Sequence, residues 1–225
     1  MATKNQTNAP AEGAALNASE AFFQKYKKQI AIALIAVLAI IAGIIVYNTY
    51  YAGPREDKAS TALAKGQEYF GMEQFETALN GDSIGFTGIL AVANDYSGTK
   101  AGNLANLYAG LCYAQLGKWT EAATWLEKFS KQDDQMISPA AEAALGNAYA
   151  HLNQLDKAVD CLKSAAKNAD NNSLSPTFLI QAGEILESQG KKDEALKLYQ
   201  EVKTKYFNSM QYQTIDKYIE RASTK

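Results

Sequence analysis

Histidine is nearly missing from this chain. His151 stands alone among 225 residues, which excludes a two-histidine metal site and leaves little basis for a histidine-centred triad. H-E-x-x-H, G-x-x-x-x-G-K-S/T and C-x-x-C are also absent, removing the zinc-protease, P-loop and thiol-redox signatures. Gly85 and Gly88 have no lysine-plus-hydroxyl pair after them, so they read as turn glycines and not as a phosphate cradle. Cysteine is scarce. Cys112 and Cys161 fall inside helical patterns, where a free thiol acts as a small buried hydrophobe and not as part of a disulfide framework. A basic excess is lacking too: 22 Lys and Arg face 24 Asp and Glu, for a net charge of −2, so nucleic acid finds no electrostatic footprint. These absences predict a protein that is not an enzyme, with no cofactor, no metal and no small-molecule substrate.

One long apolar run is present. Ile30 to Tyr47 is uncharged throughout and reads I-A-I-A-L-I-A-V-L-A-I-I-A-G-I-I-V-Y. As a helix it spans roughly 27 Å, close to the hydrocarbon thickness of a bilayer. In lipid the backbone must satisfy its own hydrogen bonds, which makes it a helix. Lys25, Lys27 and Lys28 precede it among Phe22, Phe23 and Tyr26, and Tyr47, Tyr50 and Tyr51 follow, matching the basic and aromatic flanks of a membrane span. Arg55 and Lys58 come further on but share their stretch with Glu56 and Asp57. A cleaved signal peptide competes with this reading. Against it stand a longer apolar stretch, a long polar leader and an exit, N-T-Y-Y-A-G-P, without an A-x-A site. The lysine bias predicts a single-pass anchor with a cytoplasmic N-terminus. The expected division is a floppy tail over residues 1–20, too polar to order itself, an anchor over 21–53 and a domain over 54–225.

Beyond the anchor the text repeats. A-G-L-C-Y-A-Q-L-G-K-W-T-E-A (Ala109 to Ala122), L-G-N-A-Y-A-H-L-N-Q-L-D-K-A (Leu145 to Ala158) and A-G-E-I-L-E-S-Q-G-K-K-D-E-A (Ala182 to Ala195) align without gaps. Gly110, Gly146 and Gly183 permit close helix approach, and Tyr113, Tyr149 and Leu186 fill the space beside them. Gly117, Asn153 and Gly190 suit a left-handed turn. Ala122, Leu126 and Phe129, Ala158, Leu162 and Ala165, and Ala195, Tyr199 and Val202 form apolar stripes at helical spacing. A degenerate earlier copy places Gly66, Phe75 and Ala78 in register. Extra residues before Gly110 predict a loop at Gly81 to Gly85, a helix through Ile89, Leu90, Val92 and Ala93, and a turn at Asp95 to Gly98. At the far end, Met210, Ile215, Tyr218 and Ile219 suit one face of a capping helix. Asp133, Asp134 and Asp170, at the passages between copies, read as helix-capping acids.

These copies resemble the tetratricopeptide repeat, a helix–turn–helix unit of 34 residues. The resemblance implies an all-α fold: one transmembrane helix, then a solenoid of helical hairpins with a C-terminal cap. Two departures stand out. The fourth position carries Asn106 and Glu142 instead of an aromatic, and the terminal proline is missing. First helices of such arrays line a concave groove, and the register assigns to it Leu104, Leu107, Leu111 and Gln115, then Asn147 and His151, then Ile180, Glu184 and Glu187. Leu104, Leu107 and Leu111 could equally be packed against the preceding helix. The whole architecture resembles the bacterial ancillary subunit of the Sec translocon. That resemblance implies an inner-membrane scaffold with a periplasmic domain, whose partners are translocon subunits, a membrane-anchored prolyl isomerase and periplasmic chaperones. An envelope-assembly scaffold for outer-membrane or cell-wall machinery is the alternative. An enzyme using the acid pair Glu184 and Glu187, which share a helix face, is a third.

Overall fold

The computed structural model describes residues 12–224, all regular structure being helical, and divides into two units after Pro54. The first unit is a helix, α1 (Glu12–Tyr47), closed by a π-helical turn at Asn48–Ala52. Its apolar stretch reaches a mean hydropathy of 3.0 with no residue buried. Ile32, Leu34, Ile35 and Val37 all stand exposed, as they would in lipid. Of the tail expected over residues 1–20, positions 1–11 lie outside the described residues, and helix α1 begins at Glu12.

The second unit contains α2 (Gly53–Gly71), α3 (Phe75–Asn80), α4 (Ile89–Asp95), α5 (Lys100–Gln115), α6 (Trp119–Glu127), α7 (Ile137–His151), α8 (Leu155–Ala169), α9 (Ser175–Ser188), α10 (Lys192–Lys205) and α11 (Ile215–Ser223). The pairs α5/α6, α7/α8 and α9/α10 are the three clear copies. Each of their turns is built the same way. Gly117, Asn153 and Gly190 take φ of 69°, 58° and 74°. The next residue's N–H then bonds back 2.9 Å to the carbonyl of Tyr113, Tyr149 or Leu186, the six-to-one bond of a Schellman turn. The degenerate copy obeys the same geometry without glycine: Glu73 takes φ 60° and Gln74 N–H bonds to Tyr69 O at 2.9 Å. Backbone geometry thus fixes its register.

Small residues set the spacing between paired helices. Ala78, Ala122, Ala158 and Ala195 have no exposed surface. A β-carbon on Gly110 would lie 2.5 Å from Leu126 Cγ, and one on Gly183 only 2.3 Å from the Tyr199 ring. In the first copy Gly66 faces Ile89 of α4, 2.4 Å from the same imagined atom. Ile89 lies 23 residues after Gly66, whereas Leu126 lies 16 after Gly110. The extra residues are therefore an insertion within the second helix of the first copy. That helix stops at Asn80, loops out, and resumes as α4. Gly81 and Gly88, at φ 92° and 93°, let the two ends of the loop cross backbone to backbone. Asp82 pins it by accepting from Tyr69 Oη at 2.6 Å and from the N–H groups of Ile84 and Phe86 at 2.9 Å.

Buried side chains form three clusters along the array: one around Leu79, Ile89 and Val92, one around Leu107 and Leu126, and one around Leu162, Tyr199 and Ile215. Cys112 is buried and Cys161 half-buried, both free thiols; burial pushes Cys112 up to about 12. The capping helix α11 buries Ile215 completely, with Tyr218 and Ile219 packed beside it. Met210 is not on that face. It sits in a 3-10 turn (Met210–Gln213) and is 86% exposed, because the helix begins only at Ile215.

Candidate protein-binding trough

Two carboxylates cap first-helix starts, and an amide and a third carboxylate tie neighbouring segments together. Glu56 of α2 accepts from the N–H groups of Lys100 and Ala101, at 2.7 and 2.8 Å, and so caps α5 from another helix. Asp134 does the same for α7, accepting from the N–H groups of Met136 and Ile137 at 2.9 and 2.5 Å and from the Ser138 hydroxyl at 2.6 Å. Desolvation pushes the Asp134 carboxyl up, and those hydrogen bonds outweigh it and hold it below the usual carboxylate range. Asn103 of α5 ties down the end of α6: its amide donates to Ser130 O at 2.8 Å and accepts from Ser130 N–H at 2.7 Å. Glu142 stands where the repeat would have an aromatic. It is 8% exposed, accepts from Lys131 Nζ at 2.5 Å and from Asn168 Nδ2 at 3.0 Å, and bridges the α6–α7 loop to α8.

At the equivalent place in the preceding copy stands Asn106, and there the structure is open. A cavity of about 690 Å³ lies between the start of α5, the end of α6 and the α6–α7 loop. Leu104, Phe129 and Ile137 give it an apolar floor, and Lys100, Lys128, Asn103 and Asn106 its polar walls. A second cavity of about 270 Å³ lies between α2 and α5, lined by Ser60, Leu63 and Gln67. Lys100 and Leu104 line both, so the two cavities adjoin at the start of α5, and the larger forms the trough. Its volume is within the range of ligand clefts, and its mixed lining suits a polypeptide segment.

Of the residues assigned to a groove from the repeat register, Leu104 is the one that lines this trough. Leu107 and Ile180 are 7% exposed and belong to core clusters, packed with residues of α6 and of α8 and α10. Leu111 is half-buried against the same core, and Asn147 is half-buried. Gln115 and His151 are exposed, the imidazole stacked flat on Trp119 with centroids 3.6 Å apart. Glu184 is exposed, 3.9 Å from Arg221. Glu187 is held by the Arg221 guanidinium and by Tyr199 Oη, which donates at 2.9 Å. Burial pushes its carboxyl up, and these hydrogen bonds overcome that and hold it below the ordinary range. A carboxyl so held is a poor proton donor at neutral pH, so this geometry does not make Glu184 and Glu187 an acid–base pair. The sequence register missed Lys100, Lys128, Phe129 and Ile137, which precede or follow the repeat positions it considered. The signal that could have found them was the missing aromatic at Asn106.

Gly81 to Gly85 spells G-D-S-I-G, a G-x-S-x-G match that reads in sequence as a turn. It lies in the loop between α3 and α4, not on the strand-to-helix turn that exposes a nucleophilic serine, and Asp82 beside Ser83 is consumed by Tyr69 and the loop backbone. Among the described residues no group of three or more His, Cys, Asp or Glu is placed to hold a metal ion.

A family model for the tetratricopeptide repeat-like domain matches residues 20–218. The chain belongs to that family. Among solved structures it is similar to the nearly identical TPR-like repeats of a Podosopora anserina kinesin light chain candidate and to a point variant of the same repeats. Each superposes with a TM-score of 0.58 at 14% identity, covering 74% of this chain and 85% or 86% of the other. At that identity the likeness concerns the fold. No curated protein sequence matches the chain. Tetratricopeptide-like arrays typically serve as non-catalytic interaction scaffolds, and the trough is where this one offers an open, mixed surface.

Proposed function

We propose that this protein is a non-enzymatic, membrane-anchored scaffold that binds other proteins through its repeat domain, serving as an accessory of the Sec translocon or its periplasmic chaperones. The observation that carries this reading is the union, in one chain, of an unburied helix of mean hydropathy 3.0 with a tetratricopeptide repeat-like domain bearing an open trough. Lys25, Lys27 and Lys28 at one end of the apolar stretch set the orientation: cytoplasmic N-terminus, domain across the inner membrane. The domain holds its partner near the membrane, and the helix keeps the local concentration high. Crosslinking in intact membranes with identification by mass spectrometry tests this. Translocon subunits are expected to dominate. Enrichment of cell-wall synthases or outer-membrane assembly factors in their place would support the envelope-scaffold alternative and overturn the translocon assignment.

A further inference from the structure

The two ends of the apolar helix differ in charge. Past its exit, Asn48 to Pro54 carry none, and the next four residues, Arg55, Glu56, Asp57 and Lys58, sum to zero. Two of those four are engaged: Arg55 donates to the Asp95 carbonyl, and Glu56 accepts from the amides that open α5. Ahead of the entry stand Lys25, Lys27 and Lys28. All three are exposed, and among the described residues none is in an ion pair. Because α1 is helical throughout this stretch, Phe22, Lys25, Lys28 and Gln29 fall three or four residues apart along one face. Glu20, the acid that precedes them, lies with Lys27 on the opposite face. The Phe22 and Tyr26 rings pack with centroids 4.8 Å apart, and the Lys25 ammonium lies over the Tyr26 ring at 5.3 Å, which orients it without neutralising it.

We propose that this face of α1 binds the headgroup of an acidic phospholipid, its phosphate held between Lys25 and Lys28 with the Gln29 amide donating beside them. The site rests on the reading of α1 as a membrane anchor and gives that anchor a ligand. Depth supports it: at about 1.5 Å per residue, Lys28 and Lys25 lie roughly 3 and 8 Å beyond Ile30, within a headgroup layer about 5–8 Å deep on each side. Residues three apart on a helix hold their β-carbons about 5–6 Å apart, a span two ammonium groups can close around one phosphate. A zwitterionic headgroup offers the same phosphate but brings its own cation, which meets the lysines as a like charge. Lys27 adds to the attraction for an anionic surface without completing the site. Inorganic phosphate carries the same recognised group, but Phe22 and Tyr26 present ring surface that a headgroup layer covers.

The test titrates the full-length protein, in neutral maltoside micelles, with phosphatidylglycerol or phosphatidylcholine and counts retained lipid by native mass spectrometry. Micelles take the direction of insertion out of the readout. Phosphatidylglycerol is expected to bind about tenfold more tightly than phosphatidylcholine and to weaken as salt rises. Lys25→Gln with Lys28→Gln should bring it down to the phosphatidylcholine affinity. Lys27→Gln should weaken it by about threefold or less, and Lys58→Gln, past the exit, should leave it unchanged. These lysines are exposed, and an unaltered far-UV circular dichroism spectrum verifies the fold. Equal affinity for the two lipids, or undiminished phosphatidylglycerol binding by the double variant, would overturn the site. A loss from Lys27→Gln as large as that of the double variant would make the attraction diffuse and overturn it too. Displacement of phosphatidylglycerol by inorganic phosphate at matched ionic strength would make the free anion the ligand and end the proposal. Carbonate extraction separates this site from the anchor itself. A chain that washes off membranes would overturn the anchor, whereas one that resists carbonate yet prefers neither lipid would overturn the lipid site alone.

Discussion

Glycine at the helix crossings does different work in different copies, and single substitutions should reveal it. A β-carbon on Gly183 would press into the Tyr199 ring, which cannot swing away because its hydroxyl is held by Glu187 at 2.9 Å. On Gly146 the nearest atoms lie at 3.1 Å, so shifts of tenths of an ångström suffice. Gly183→Ala is therefore expected to cost about 1–3 kcal/mol in urea unfolding, overpacking outweighing the gain in helix propensity. Gly146→Ala should stay within about 1 kcal/mol of wild type. Glu73 is the converse case. It holds a left-handed backbone that glycine or asparagine holds in the other copies, and a side chain there costs about 1–2 kcal/mol. Glu73→Gly should raise stability by about 0.5–1 kcal/mol, after the added flexibility of the unfolded chain is subtracted. An unchanged urea midpoint for Glu73→Gly would show that the turn is not strained.

At the scale of elements, the capping helix α11 closes the array through one charged contact as well as through Ile215. Arg221 of α11 reaches Glu187 of α9, which also accepts from Tyr199 of α10. Because the folded carboxyl lies below its ordinary value of 4.5, its contribution is complete above that pH and is lost as pH falls through the folded value. Wild type should lose stability below about pH 4.5 partly through this group. Glu187→Gln should be less stable by about 1 kcal/mol at pH 7, the half-exposed arginine limiting the effect, and should show a shallower acid slope. Parallel slopes for the two proteins in pH-dependent thermal melts would contradict this. The hairpins themselves were legible in sequence, since Gly110, Ala122 and their counterparts repeat in register and Gly117, Asn153 and Gly190 mark the turns. The broken second helix of the first copy was harder to read. Its two halves, α3 and α4, are separated by a loop, and a pattern of helical spacing restarts without showing that both halves pack on α2. Met210 was placed on the cap by its spacing, yet the 3-10 turn before Ile215 changes the phase of the helix.

For the whole molecule, the fold was written plainly and the trough was not. Register arguments take each first helix alone, so they assigned Leu107 and Ile180 to a groove that neighbouring helices close. Lys128 and Ile137 reach the trough from the end of a second helix and from an interrepeat loop, positions no single-helix pattern contains. The domain's central claim is nonetheless local: another protein is held at the α5–α6–α7 trough. Site-specific photo-crosslinking tests it directly. A photoreactive phenylalanine replaces Ile137, exposed and in the trough, or Glu201, exposed on α10, in the full chain in intact cells. The predicted result is a discrete protein adduct from position 137 that disappears when Leu104→Asp is added, with none from position 201. Adducts of equal yield from both positions, or an adduct at 137 indifferent to Leu104, would contradict the account.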